Sequence, residues 1–173
     1  MNRTLTLFIL LLLVSVLMTG CGEKRPPGMP KLYPVSLTIT QEGTPLAGAV
    51  VQLIPENSAH AQWGPGGLTD ASGVAVLRTN GPYKGAPLGK YKVIVTKSEI
   101  ESPPSPPPKG PGVTREDVGR YQAILSRLKA YNYVETQYGS ATDTPLQVEI
   151  TAKVKTYTFD AGKPIKVQIP RAR

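Results

Sequence analysis

Hydrophobic and polar residues alternate along this chain in short stretches, separated by turn-forming glycine, proline and asparagine. Residues 33–40 put Val35, Leu37 and Ile39 on one side and Ser36, Thr38 and Thr40 on the other. That period of two predicts a half-buried strand. Glu42-Gly43 supplies a turn, and Pro45 opens the return where a missing N–H is tolerated. Residues 49–54 then form a second strand with Ala49, Val51 and Leu53 inward. Residues 74–78 form a third, and residues 89–97 form the clearest one, with Tyr91, Val93 and Val95 alternating with Lys90, Lys92 and Ile94. Residues 146–151, 155–160 and 165–169 complete a set of about seven. Short strands with turn signals between them predict an all-β fold, an antiparallel β-sandwich.

One segment breaks this rhythm. Val118, Tyr121, Leu125 and Leu128 recur at helical spacing, Thr114 is placed to cap, and Glu116 and Asp117 suit the first turn. An amphipathic helix over residues 115–130 follows, its apolar stripe expected to cover an edge or end of the sheet. Residues 98–112 precede it with Pro103, Pro104, Pro106, Pro107 and Pro108, a stiff polyproline II tract without a core of its own. Tract and helix together read as an insertion over residues 98–135. Residues 55–67 and 80–88 read as loops, and Thr69-Asp70-Ala71-Ser72-Gly73 as a compact turn in which Asp70 accepts backbone N–H groups and Gly73 takes a positive φ.

The N-terminus is organised differently. Arg3 precedes an apolar run from Leu5 to Met18 that closes at Thr19-Gly20-Cys21, the three-part layout of a secretory signal over residues 1–20. The run is short for a transmembrane anchor. Cys21 is the one cysteine, so a disulfide within the chain is excluded. A cleaved signal with an incidental free cysteine is the alternative to lipidation. The run Leu17-Met18-Thr19-Gly20-Cys21 resembles the lipobox of bacterial lipoproteins, with Met18 where leucine is commoner. The resemblance implies a diacylglyceryl group on the Cys21 thiol, removal of the signal and acylation of the new amine. It also implies an exported protein held at a membrane by that anchor, facing the periplasm or the cell surface. Gly22 lacks the acidic character that retains such proteins in an inner membrane, which points to the outer membrane. Residues 21–32, polar and rich in proline and glycine, form the tether.

Charge narrows the partners. The formal net charge is +8 over 173 residues, and +7 over the 153 left without residues 1–20, since Arg3 goes with the signal. Export and the lack of any nucleic-acid motif exclude nucleic acid. The excess fits a solvated basic face, or loose attraction to anionic headgroups or acidic wall polymers.

The turn motifs carry a second resemblance. Gly43-Thr44-Pro45-Leu46-Ala47-Gly48-Ala49, then Thr69-Asp70-Ala71-Ser72-Gly73, then Pro87-Leu88-Gly89-Lys90-Tyr91-Lys92-Val93 resemble carboxypeptidase regulatory-like domains, which are transthyretin-like (prealbumin-like, Ig-like) sandwiches. Thr144-Pro145-Leu146 and Tyr157 to Asp160 fit the same pattern, so the likeness covers residues 33–160 apart from the insertion. It implies a module without chemistry of its own. The related hydroxyisourate hydrolases rely on histidines, an arginine and a Tyr-Arg-Gly-Ser terminus, whereas this chain has one histidine and ends Ile169-Pro170-Arg171-Ala172-Arg173.

Candidate chemistry is correspondingly thin. His60 has no second histidine to share a metal with, and zinc takes three or four N, S or O ligands, so an exposed loop histidine is the better reading. No Gly-x-Ser-x-Gly elbow accompanies it. Trp63, in the same loop, is either a stacking platform for a sugar or partner, or a plug over the sandwich end; the area an aromatic ring buries favours the plug. Asp70 alone falls short of the 6–8 oxygens that calcium takes. No metal or cofactor is expected. The sequence therefore reads as a non-catalytic, lipid-anchored envelope protein, a structural or adhesive module binding protein or polysaccharide. His60 and Trp63 are its candidate recognition loop, with the 98–112 tract as a partner site. A transthyretin-like carrier of a small apolar ligand and an unrecognised hydrolase are the alternatives.

Overall fold

The computed structural model describes residues 25–107, 110 and 112–170. The signal segment and Cys21 lie outside the described residues. Thirteen strands occur among the described residues: β1 Ser36–Gln41, β2 Thr44–Pro45, β3 Val50–Pro55, β4 Pro65–Leu68, β5 Val74–Val76, β6 Arg78–Thr79, β7 Tyr83–Lys84, β8 Gly89–Thr96, β9 Ser98–Ile100, β10 Ala130–Asn132, β11 Gln147–Ile150, β12 Thr156–Asp160 and β13 Val167–Gln168. A helix, α1 Arg115–Leu125, lies between β9 and β10. No described helix is long and apolar enough to cross a membrane.

Two larger sheets form the sandwich. One has the order β11-β8-β3-β4-β6-β7, and the other has β12-β1-β2 with β5 also paired to β1. A small third sheet, β13-β10-β9, carries the insertion. The expected faces are the observed ones. Val35, Leu37 and Ile39 from β1 and its lead-in meet Val51 and Leu53 of β3 and Tyr91, Val93 and Val95 of β8, in one buried cluster. Burying each large aliphatic side chain of this kind stabilises by about 1.5–3 kcal/mol. Tyr91 keeps its polar end satisfied by donating to the Pro87 carbonyl at 2.9 Å, and burial pushes its phenol up to about 12.

The sheets are joined at both sides. β5 pairs with β1 and β6 pairs with β4, so the chain changes sheets at Leu77, which is fully buried. Its N–H donates to Val35 O at 3.0 Å and its carbonyl accepts Gly85 N–H at 2.9 Å, so the crossing leaves neither group orphaned. On the other side the Tyr157 hydroxyl of β12 donates to Glu149 O of β11 at 2.8 Å. That bond occupies one backbone acceptor on an otherwise open strand edge.

Three expectations about elements change. The strand count is higher than seven, because short pairings sit inside segments read as loops: β4 in 55–67, β7 in 80–88 and β9 at the head of the proline tract. β4 contains Gly66 and Gly67, which show no hydrophobic pattern. A Cβ on Gly67 would stand 2.9 Å from Val76 O, so the backbone approach that makes the strand needs glycine there. The sheets are not wholly antiparallel either, since β1 and β12 run parallel, Ser36 opposite Thr156 through Thr40 opposite Asp160. More than a hundred residues separate the two strands, so no hairpin geometry constrains their direction. The helix also differs: none of its residues is buried, and its stripe does not cover the sandwich.

Candidate functional site

The turn that precedes β5 shows what the polar motifs do. Asp70 Oδ1 accepts from Ser72 N–H, Ser72 Oγ and Val74 N–H, each at 2.9 Å. The bond from Val74 N–H, then that from the Ser72 hydroxyl, holds its carboxyl below the usual range. Three acceptor sites used locally make Asp70 a turn residue. Asp160 plays a similar part, accepting from Thr40 Oγ1 at 3.0 Å, Gly43 N–H at 3.1 Å and Gly162 N–H at 2.8 Å. Partial desolvation works to raise its pKa, and the combined hydrogen bonds, led by Gly43 and Gly162, outweigh it and lower the value.

His60 and Trp63 stand on one 3-10 turn, Ser58–Trp63, directly after β3. Trp63 is only 6% exposed, so its ring offers no flat face to a sugar or partner. That burial does not fit the stacking platform, the less favoured of the two readings of Trp63. At the next residue the chain lies close to β3, where a Cβ on Gly64 would meet Leu53 O at 3.3 Å. His60 is half-buried and its N–H donates to Asn57 O at 3.0 Å. Among the described residues no group of three or more His, Cys, Asp or Glu side chains could hold a metal ion. His60 and Trp63 share one turn, but with Trp63 buried they present no common exposed surface.

The insertion presents a surface instead. Its base is a short hairpin in which Ile100 of β9 faces Ala130 of β10. Beyond that pair Glu101 N–H donates to Lys129 O at 2.9 Å, while the Glu101 carboxylate accepts from Lys129 N–H and from the Tyr131 hydroxyl, each at 3.0 Å. Those bonds, the Lys129 N–H first, lower the Glu101 pKa against slight desolvation, helped by the charges of Lys129 and Lys166. The bond to Glu101 correspondingly raises the Tyr131 phenol, and Lys166 Nζ lies 4.7 Å from the centre of its ring. Glu101 carries no local sequence signal, because its partner Lys129 is nearly thirty residues away.

Above this base the chain runs out along the prolines and back along α1. Thr114 caps the helix in a reciprocal box: Thr114 Oγ1 accepts Asp117 N–H at 3.2 Å, and Thr114 N–H donates to Asp117 Oδ2 at 3.0 Å. The Thr114 hydroxyl, then its N–H, depresses the Asp117 carboxyl. Arg120 pairs with Glu116 at 3.0 Å, an exposed i,i+4 pair worth a few tenths of a kcal/mol. The Tyr121 hydroxyl reaches the tract itself, donating to Pro104 O at 3.2 Å. Tyr121 is therefore a strut of the insertion and not the sandwich core residue its spacing implied.

Between tract and helix lies an open, mainly apolar groove of about 650 Å³. The helix contributes Asp117, Arg120, Tyr121 and Ile124, one stripe at i, i+3, i+4 and i+7, and the tract faces it with Pro104 and Pro107. The expected stripe was turned by one position: Val118 and Leu125 stand 43% and 37% exposed outside the groove. Asp117 and Arg120 are already engaged by the cap and by Glu116, so the groove offers contact area and shape. No family model, curated protein or solved structure matches the chain.

Proposed function

We propose that the protein is a lipid-anchored, non-catalytic binding module of a bacterial envelope, its sandwich of the carboxypeptidase regulatory-like kind, which holds an apolar segment of a protein partner in the groove between the proline tract and α1. The observation that carries this reading is the groove itself: it lies outside the sandwich, it is lined mainly by apolar groups, and the helix beside it buries no residue. A helix whose stripe is unmatched by its own fold is a surface for another chain. The lipobox pattern at Cys21 and the turn motifs at 43–49 and 69–73 support the anchor and the class. An apolar groove favours a protein segment over a polysaccharide, which needs ring stacking and many polar groups.

The test is site-specific photo-crosslinking in cells from position 124. The expected result is one discrete protein adduct, lost with Tyr121→Asp or Pro107→Asp and retained with Lys163→Glu. Purified cell-wall sacculi serve as the competing ligand at low salt and at about 0.5 M salt, where the screening length falls to a few ångströms. Salt-resistant co-sedimentation with sacculi that Tyr121→Asp weakens, without a protein adduct, overturns the reading in favour of polysaccharide.

A further inference from the structure

Lysines occur at both ends of the sandwich, but only at one end do they outnumber the acidic side chains. β1 and β12 both start there, at Ser36 and Thr156, and β8 starts there with Gly89 opposite Ile150 of β11. Tyr33 pairs with Ala86 at the same end, so the chain arriving from residue 25 joins the sandwich at this point. Lys31, Lys84, Lys90, Lys153 and Lys155 are exposed around it. The acidic side chains described at this end are Glu56, whose N–H donates to Lys90 O at 3.0 Å, and Glu149, which faces Lys90 in register. At the opposite end Lys97, Lys129, Lys163 and Lys166 are balanced by Glu42, Glu99, Glu101, Glu135 and Asp160. Both ion pairs found among the described residues, Lys97–Glu99 and Arg120–Glu116, lie away from the basic end.

From this polarity we infer that the basic end of the sandwich docks on the anionic headgroups of the bilayer that carries the anchor. The inference rests on the lipid-anchor reading of Cys21. Residues 22–31 between Cys21 and the sandwich span at most about 35 Å when extended, so the anchor holds this end within that distance of the membrane. Attraction fades over about 8 Å at physiological salt, which makes the clustering of the lysines decisive and their total number secondary. Each lysine held at such a surface strengthens docking about fivefold. Val154 and Leu88, 43% and 39% exposed at the same end, are placed to meet the interface. The insertion leaves from the far end of β8, so docking in this orientation turns the groove away from the bilayer.

The test uses the protein purified from membranes and reconstituted in vesicles, with intact mass reading whether Cys21 is acylated. Amide hydrogen exchange is compared on phosphatidylcholine vesicles and on vesicles containing a third phosphatidylglycerol. The expected result is slowing of at least about fivefold in residues 84–90 and 151–156 on the anionic vesicles only. That slowing should vanish at about 0.5 M salt and in the combined Lys84→Glu, Lys90→Glu, Lys153→Glu, Lys155→Glu variant, and should persist in Lys163→Glu, Lys166→Glu. Equal exchange on both vesicles overturns the docking, and so does slowing confined to residues 115–125. If the mass shows no acyl group, the anchor reading fails separately. The same comparison on protein added from solution then decides the docking by the same two outcomes.

Discussion

Gly73 and Gly81 have nearly the same positive φ, +75° and +82°, but opposite surroundings. A Cβ added at Gly81, in the turn between β6 and β7, meets nothing within 4 Å. A Cβ added at Gly73 stands 2.6 Å from Ile39 O, 3.1 Å from Leu46 N and 3.2 Å from Pro45 Cβ, all on the β1–β2 hairpin that the turn packs against. The left-handed conformation costs an alanine about 1–2 kcal/mol at either site. At Gly73 the backbone must also move, and overpacking of that kind costs a further 1–3 kcal/mol, roughly. The movement strains the bonds Ile39 N–H to Gly73 O at 2.8 Å and Leu46 N–H to Ile39 O at 2.9 Å. Gly81→Ala should therefore destabilise by about 1–2 kcal/mol and Gly73→Ala by about 2–5 kcal/mol. Urea unfolding followed by tryptophan fluorescence measures both. Gly→Asn at each site adds a check, because asparagine tolerates a positive φ and should relieve most of the loss at Gly81 but little at Gly73. A difference between the two alanine variants below about 0.5 kcal/mol would refute the close approach, since strain alone is common to both.

Acid should weaken the fold through its capping carboxylates. Asp70, Asp117 and Asp160 are all held below their ordinary 3.8, so their contribution is present above about pH 4 and is lost as pH falls through the lower folded values. Asp70→Asn should flatten the decline of Tm between pH 5 and 2, and an unchanged slope would dismiss the turn network as its source. At the alkaline end Tyr91, raised from 10.0 to about 12, contributes stability fully present below pH 10 and lost as pH rises towards 12. Tyr91→Phe should remove that loss while costing about 1–2 kcal/mol at neutral pH through the unpaired Pro87 carbonyl; a wild-type Tm that does not fall across this window speaks against it. Replacing residues 102–128 by Asn-Gly should close β9 and β10 into a two-residue hairpin beyond Glu101 and Lys129. Its Tm should stay within about 4 °C of the parent, a change of roughly 1–2 kcal/mol for a domain of this size, and collapse of the fold would show that the insertion supports the sandwich.

Local spacing along the chain determined the faces of the main strands, since side chains on a strand alternate by geometry and Val35, Leu37, Ile39, Val51, Leu53, Tyr91, Val93 and Val95 sit at alternating positions. It determined the Asp70 turn and the Thr114 cap as well, because both are closed by partners within four residues. Whatever depends on partners far along the chain only the tertiary structure decided. The parallel union of β1 with β12, the sheet crossing at Leu77 and the staple from Glu101 to Lys129 and Tyr131 join residues that no local period relates. Exposure is decided in the same way, because a side chain's accessibility depends on what else arrives to cover it. Trp63 ends buried against its own fold, while the apolar stripe of α1 finds only the prolines and leaves a groove open.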